Sequence, residues 1–205
     1  MLMSLLPEYA ALHRQNRVLE LGAGTGIYSR HLLQLGAPLQ VASDISSIML
    51  AQARQRLTDE NIHYIQCRAE CLPFADHSFS LVAAFACLHH VENTDVAFRE
   101  VARVMMKDGI LLLMEPNPMH PMNALLGLIR PMERGMLSSW PSRWRAEAQR
   151  ARLQLITQRY GSFFPGWPCW LEHCYVLTEP LLARVPVLNR MAIFVYYYFQ
   201  RKIKS

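Results

Sequence analysis

The stretch that decides the fold is VLELGAGTGIYSRHL, from Val18 to Leu32. Its first residues are mostly apolar, which is typical of a short strand buried on both faces of a sheet. Gly22, Gly24 and Gly26 follow, and a turn without Cβ atoms lets the backbone approach a ligand closely. Thr25 is expected to cap the helix that comes next. A strand, a glycine turn and a helix in this order predict a nucleotide pocket at the carboxyl end of the strand, in a doubly wound α/β fold.

The spacing of the glycines, and the acid before them, narrow the choice of nucleotide. A dinucleotide-binding turn reads G-x-G-x-x-G, whereas the third glycine here comes one residue early and position 27 is Ile. Glu20 lies at the end of the strand, where a buried carboxylate would repel a pyrophosphate and attract a cationic amine. The stretch resembles motif I of the class I S-adenosylmethionine-dependent methyltransferases, whose loop holds the methionine half of the cofactor. A dinucleotide enzyme and a purely structural turn are the alternatives.

An acid also ends the second predicted strand, PLQVASD, residues 38–44. A carboxylate at this place can accept hydrogen bonds from both ribose hydroxyls of an adenosine. The resemblance implies this role for Asp44 and packing of Ile45 against the adenine. The alternative is that Asp44 or Ser46 caps the following helix, residues 47–57.

A longer match follows in RAECLPFADHSFSLV, residues 68–82. It resembles the family's loop and fourth strand, G-D-A-E-x-L-P-F-x-D-x-S-F-D-x-V. Cys67 replaces the usual glycine and Arg68 the usual aspartate, which in relatives accepts a hydrogen bond from the adenine amino group. Arginine has only donors, so the backbone of Ala69 or the carboxylate of Glu70 is a candidate for that contact. Arg68 itself is a candidate for stacking on the adenine.

The resemblance is dense up to Glu115 and looser beyond it. It implies a Rossmann-like, doubly wound sheet of seven strands, mostly parallel with an antiparallel last strand, and helices on both faces. It also implies S-adenosylmethionine as cofactor and S-adenosylhomocysteine as product. The residues that it assigns to the cofactor are Glu20, Gly22, Ala23, Gly24, Gly26, Asp44, Ile45, Ala69, Glu70 and Phe85.

Two histidines follow the fourth predicted strand, residues 80–86, where the transferred methyl group should point. Histidine titrates near neutral pH, so His90 or His89 could act as general base toward a hydroxyl acceptor. A purely structural role is the alternative for both. No metal site is expected, because the neighbouring sequence offers no third ligand. Cys169, His173 and Cys174 have ligand-type side chains at a spacing that fits no standard site.

The length of 205 residues suits a single domain. Residues 1–116 are expected to form the cofactor-binding core. Residues 117–150 and 161–190 are expected to be insertions that cap the acceptor, and residues 191–205 to form the last strand and a basic tail.

The charge is uneven along the chain. Residues 1–116 contain 9 Lys/Arg and 12 Asp/Glu, whereas residues 117–205 contain 12 Lys/Arg and 4 Asp/Glu. A basic C-terminal half indicates an anionic partner or a membrane surface, with a solvated basic surface as the alternative. The chain has no pattern of a cleavable signal and no membrane-length apolar run. Because the cysteines number five and are scattered, we expect reduced thiols and a cytoplasmic location. The alternative location is peripheral, at the inner face of a membrane.

The predicted activity is methyl transfer by in-line displacement to a small-molecule or lipid-linked acceptor. A non-catalytic cofactor-binding scaffold and a nucleic-acid methyltransferase are the alternatives. The second is disfavoured, since amino-directed enzymes of that kind often have an Asn/Asp-Pro-Pro-aromatic motif where this chain has Ala86-Cys87-Leu88-His89. The oligomeric state is left open.

Overall fold

The computed structural model describes residues 17–34, 36–161 and 190–201. Seven strands within these ranges form one sheet. They are β1 (Arg17–Leu21), β2 (Leu39–Asp44), β3 (Ile62–Gln66), β4 (Phe79–Phe85), β5 (Met105–Pro116), β6 (Leu153–Gly161) and β7 (Phe194–Arg201). Their order is β3-β2-β1-β4-β5-β7-β6. Strand β7 is antiparallel to both of its neighbours, and the remaining pairs are parallel, which confirms the predicted doubly wound sheet.

Five α-helices and two 3₁₀ helices connect the described strands. The α-helices are α1 (Ser29–Leu33), α2 (Ser47–Arg56), α3 (Thr94–Val104), α4 (Pro121–Ile129) and α5 (Pro141–Arg150). We name the 3₁₀ helix Leu88–His90 the histidine turn and the 3₁₀ helix Pro131–Ser138 the glutamate turn.

Alternation of side chains along the strands builds a core on each face of the sheet. Leu19 and its neighbours on one face pack against α3 and α5, where the rings of Phe98 and Trp144 lie 6.2 Å apart. Val18 and its neighbours on the other face pack against Leu32 of α1. Helices on both faces are therefore confirmed, and the sheet is buried as expected of a doubly wound fold.

The strand order reverses between β1 and β4, so the connections after these strands leave toward opposite faces. A crevice opens at such a point beyond the carboxyl ends of the strands. The glycine turn after β1, Asp44 at the end of β2, the histidine turn after β4 and Glu115 near the end of β5 all lie at this edge.

One helix start differs from the prediction. Thr25 does not cap a helix, since its hydroxyl accepts a hydrogen bond from Arg56 at 2.9 Å. Helix α1 begins at Ser29, after Tyr28, because the glycine turn continues further than the local pattern suggests. Helix α2 is capped by Ser46, whose hydroxyl accepts from the N–H of Met49. The ribose role of Asp44 stays a prediction.

Buried amides join the segment after β5 to the start of β7. The side chain of Asn117 donates to the carbonyls of Arg190 and Ala192 at 2.8 and 2.7 Å. The side chain of Asn123 donates to the carbonyls of Asn117 and Ile193 at 3.0 and 2.7 Å. These bonds fix the direction in which residues 117–123 leave the sheet.

Most of the predicted second cap, residues 161–190, lies outside the described residues, as do residues 1–16 and the end of the basic tail. Cys169, His173 and Cys174 are among them. The first predicted cap, residues 117–150, contains α4, the glutamate turn and α5. Helix α5 within this range packs on the sheet through Trp144, and the role of the range as a cap stays a prediction.

Helices in the described ranges include none with the length and apolar character needed to cross a lipid bilayer.

Candidate active site

The three glycines after β1 have different surroundings. Gly22 has a φ of +64°, and a Cβ there would lie 2.3 Å from the Cβ of Cys87. A Cβ at Gly26 would lie 3.2 Å from the Cβ of Ala53 in α2. Gly24 has a φ of +53°, and none of the described residues has an atom within 4 Å of its Cβ position. Gly22 and Gly26 thus allow close packing, whereas Gly24 borders open space that a ligand can occupy.

Asp44 is held rigidly beside this open space. Its Oδ2 accepts a hydrogen bond from the N–H of Gly24 at 2.8 Å, and its Oδ1 accepts from the N–H of Ser46 at 2.8 Å. Each carboxylate oxygen retains acceptor capacity, and the residue is partly exposed. Ile45, next to it, is 60 % exposed. The pair offers acceptors for hydroxyls beside an apolar surface for a flat ring.

Glu20 is buried beneath the glycine turn with a single hydroxyl donor, Ser29. Burial, and to a smaller extent the charge of Asp44, raise its pKa to about 8 although Ser29 acts in the opposite direction. Among the described residues, none of the ion pairs includes Glu20. A buried acid beside a second acid, without a cation, fits a bound cationic group.

Arg68 forms two ion pairs, and its side chain is 49 % exposed. Its guanidinium pairs with Glu70 at 3.1 Å and with Glu92 at 3.3 Å. Glu70 is therefore engaged by an arginine, and Ala69 lies in the turn between them. The sequence predicts Ala69 and Glu70 at the adenine, and the structure shows that Arg68 pairs with Glu70.

Ala23 and Phe85 are both buried. The ring of Phe85 lies 4.8 Å from the ring of Tyr28, centroid to centroid, in the core against α1. Because little of its side chain is exposed, the predicted contact with the cofactor would be made by the backbone of Phe85, at the end of β4.

An arginine that the sequence did not mark anchors the L-P-F segment. Arg103 of α3 donates to the carbonyls of Leu72 and Phe74 at 2.9 and 2.7 Å. Glu100 accepts from the N–H of Leu72 at 2.8 Å. The segment that follows the predicted adenine contacts is thereby fixed to a rigid helix.

The histidine turn is built around a second buried acid, Glu115. Its Oε1 accepts from the N–H groups of Cys87 and Leu88 at 3.2 and 2.8 Å. Its Oε2 lies 2.8 Å from Nδ1 of His89. Because a carboxylate accepts and does not donate, Nδ1 of His89 carries the proton and Nε2 is left as the other functional atom.

Glu133 of the glutamate turn faces both histidines. Its Oε2 lies 3.6 Å from Nε2 of His89 and 4.0 Å from Nε2 of His90. Nδ1 of His90 lies 3.1 Å from the carbonyl oxygen of Met132. Burial, followed by the proximity of His89, lowers the pKa of His90. The structure therefore brings His89 and His90 together with two acids that sequence reasoning missed.

The sequence marks one of these two acids as a candidate site residue but not the other. Glu115 ends a continuous apolar strand, and an acid at the carboxyl end of a buried strand is a recognisable mark. Nothing in the sequence around Glu133 marks it, because its meeting with His89 depends on how two separate segments pack. The expectation of no metal site rested on the lack of a third ligand nearby, and Glu133 is such a group.

The described cysteines, Cys67, Cys71 and Cys87, are free thiols. Cys87 donates to the carbonyl of Leu21 at 3.3 Å. Burial, with the negative charge of Glu115, raises the pKa of this thiol well above its usual value. Cys87 is thus a packing residue rather than a nucleophile.

A cavity of about 970 Å³ lies at the amino ends of the strands, lined by Arg17, Leu39, Ile62 and Phe79 among others. Ligands of open α/β sheets bind beyond the carboxyl ends, so this cavity is at the wrong edge for the cofactor.

Comparison with known proteins identifies the family that residues 19–113 resemble. The family described as "Methyltransferase domain" matches residues 19–113. The ubiquinone/menaquinone biosynthesis C-methyltransferase UbiE of Vibrio vulnificus is 38 % identical over 107 residues, which are 48 % of this chain and 40 % of that protein. The chain spans 40 to 50 % of the length of such relatives.

Solved structures agree in fold. The YcgJ protein of Bacillus subtilis has a TM-score of 0.72 and 23 % identity, covering 98 % of both chains. An S-adenosylmethionine-dependent methyltransferase of Mesorhizobium loti has a TM-score of 0.67 and 19 % identity, covering 95 % of this chain and 96 % of that chain. The matched sequence region contains the glycine turn, Asp44 and the histidine turn. Over residues 19–113 the chain is thus similar to the S-adenosylmethionine-dependent methyltransferases, as the glycine turn and Asp44 predict.

Proposed function

We propose that this chain transfers a methyl group from S-adenosylmethionine to a small-molecule acceptor. The observation that carries the proposal is the open space at Gly24, bordered by the fixed carboxylate of Asp44. When bound, the cofactor supplies an electrophilic methyl group and leaves as S-adenosylhomocysteine. The protein then has to hold the cofactor and align the acceptor.

The described residues suit the parts of this cofactor. In this proposal Asp44 accepts hydrogen bonds from both ribose hydroxyls, and Ile45 packs on the adenine. In this proposal Glu20 faces the cationic amine, which would stabilise its ionised form; none of the ion pairs of the described residues includes Glu20. Ala69 and Glu70 are the candidates for the adenine amino group, with Arg68 holding Glu70. Ala23 and the glycines Gly22 and Gly26 shape the turn.

We infer a carbon acceptor on a small ring as the first class to test. The support is the 38 % sequence identity over 107 residues to a C-methyltransferase of ubiquinone/menaquinone biosynthesis. The role of His90 or His89 as general base stays a prediction. His90 is 43 % exposed at its side chain and so is the more accessible of the two.

We further propose that the acceptor is bulky and apolar or lipid-linked. The protein would meet it at an anionic membrane surface. The support for this proposal is the exposed apolar surface of α4, with Leu128 at 70 % exposure, close in sequence to the basic residues Arg130 and Arg134. Sedimentation with anionic and neutral vesicles tests it. We expect Leu128→Asp to reduce co-sedimentation, whereas Ile48→Asp, at an equally exposed apolar position of α2, should leave it unchanged. Equal sedimentation of both variants and of the parent chain would count against the surface.

A non-catalytic cofactor-binding scaffold is the second candidate, and a single feature favours it. Arg68 stands where relatives have the acid that binds adenine, so the pocket departs from the family pattern. Fold alone does not separate a catalyst from a binding protein.

Two measurements distinguish a methyltransferase from a non-catalytic scaffold. Calorimetry of the full chain with S-adenosylmethionine tests the pocket, and absence of binding would refute both candidates. Incubation with isotope-labelled cofactor and a host extract, followed by mass spectrometry, tests transfer. A labelled small molecule supports the enzyme and gives the acceptor, whereas binding without any labelled product supports the scaffold.

A further inference from the structure

We propose that His89, His90 and Glu133 form a binding site for a divalent transition-metal ion of the Zn²⁺ class. The ligand-type atoms of these residues lie within 4.8 Å of one another. They belong to two separate segments, the histidine turn and the glutamate turn.

The hydrogen bonds of the two histidines leave Nε2 of each ring available to bind a metal ion. Nδ1 of His89 faces the Glu115 carboxylate, and Nδ1 of His90 faces the Met132 carbonyl oxygen. Both partners only accept, so each Nδ1 is the protonated nitrogen and each neutral ring has its lone pair on Nε2. A carboxylate behind a histidine is the usual support of a metal-binding imidazole.

Two of the three converging atoms are buried and have no hydrogen-bond partner among the described residues. They are Nε2 of His89 and Oε2 of Glu133, which face each other at 3.6 Å. Two acceptors that face each other are unfavourable unless a positive charge lies between them. Either a proton on His89 or a cation can supply this charge, and Nε2 of His90 at 4.0 Å from the same oxygen favours the cation.

Metal binding requires the three side chains to move closer together. Bonds of about 2.0–2.2 Å in a tetrahedral site place ligand atoms about 3.3–3.5 Å apart. The separations from Glu133 are 3.6 and 4.0 Å, and all three ligand atoms lie within 4.8 Å of one another, so the side chains would close by up to about 1 Å. His90 and Glu133 are 43 % and 24 % exposed, which gives an ion access to the site.

Packing holds the two segments in place without the ion. A Cβ at Gly135 would lie 1.7 Å from the carbonyl oxygen of His89. The glutamate turn therefore rests directly on the histidine turn, and the ligand set is preorganised.

The site has the composition of a catalytic rather than a structural metal centre. Three protein ligands leave a tetrahedral ion one open position, and the histidine turn follows β4, beside the glycine turn. An ion there would polarise an acceptor oxygen. This consequence rests on the proposed function, whereas metal binding itself does not. As ligands, the Nε2 atoms of His89 and His90 would no longer be free to act as general bases.

The test is metal binding by the untagged full chain, stripped with a chelator and titrated with Zn²⁺, with Co²⁺ absorption as a second readout. We expect one ion per chain. Loss of a ligand in Glu133→Gln or His90→Ala should weaken binding about 100-fold or more, and the supporting change Glu115→Gln about 10-fold to 100-fold. His63→Ala removes an exposed histidine of β3 and should change nothing.

Circular dichroism confirms that the variants are folded. Absence of binding by the parent chain overturns the site, as does binding that survives both ligand substitutions or that is lost in His63→Ala. Calorimetry of the metal-free protein with S-adenosylmethionine tests the cofactor pocket separately, so failure of one proposal is distinguishable from failure of the other.

Discussion

Cys87 packs directly on Gly22, and a Cβ added to Gly22 would lie 2.3 Å from the Cβ of Cys87. This contact joins the turn after β1 to the start of the histidine turn after β4. The cofactor loop and the histidine cluster are therefore parts of one packed edge of the sheet, and a change at either is expected to disturb the other.

Gly22→Ala should destabilise the fold by about 3 kcal/mol, the sum of a left-handed alanine and an overpacked contact. Gly36→Ala is the matched control, since Gly36 has a φ of +66° and no atom within 4 Å of its Cβ position. It should cost only about 1 kcal/mol. Denaturant unfolding measures both. Adding Cys87→Gly to Gly22→Ala removes the facing Cβ and should restore part of the loss. Equal costs at the two glycines would show that packing on Cys87 is unimportant.

Asp44→Ala should weaken S-adenosylmethionine binding about 100-fold, because two hydrogen bonds to a charged group are each worth about 1.5 kcal/mol or more. Gly24→Val should weaken it severely as well, since the side chain enters the open space. Asp59→Ala removes a carboxylate that accepts from the N–H of Asn61 at 2.9 Å, and it should leave binding unchanged. Calorimetry gives the dissociation constants. Unaltered affinity in both site variants would refute the pocket.

Glu20 should make the protein less stable as the pH rises through neutrality. Its pKa is about 8 in the fold against a usual value of 4.5. Between these values the unfolded chain has lost the proton that the folded chain retains, so the free energy of unfolding falls with pH, by at most about 1.4 kcal/mol per pH unit. Below about pH 4.5 and above about pH 8, Glu20 no longer makes the free energy of unfolding depend on pH.

Glu20→Gln removes this titration and should flatten the stability curve between about pH 6 and about pH 8. Urea unfolding at several pH values compares the variant with the parent chain. The exposed Glu60→Gln should behave like the parent. A parent and a Glu20→Gln curve of the same slope would contradict the burial of an ionisable Glu20.

Asn117→Ala should destabilise the fold by about 2–3 kcal/mol, because it removes both donors to the carbonyls of Arg190 and Ala192. Asn61→Ala at an exposed position should be nearly neutral. Thermal unfolding compares the two. A similar melting temperature for both variants would mean that the amide cluster does not hold β7 to the segment after β5.

Local pattern predicted the parts of this protein that depend on neighbours in the chain. Apolar runs marked the strands, the glycines marked the turn, and Asp44 followed its strand at the expected place. Even so, the pattern erred at Thr25, because three glycines with positive φ extend the turn and delay α1 to Ser29. Local preference could not resolve where the turn ends.

The sequence by itself determined the fold class, since the order of strands, glycine turn and helices is a property of adjacent residues, and its resemblance to a methyltransferase family indicated the cofactor. Only the tertiary structure decided what surrounds them. It set Cys87 on Gly22, paired Arg68 with Glu70, and brought Glu133 to His89. Such meetings depend on the packing of distant segments, which no local periodicity encodes.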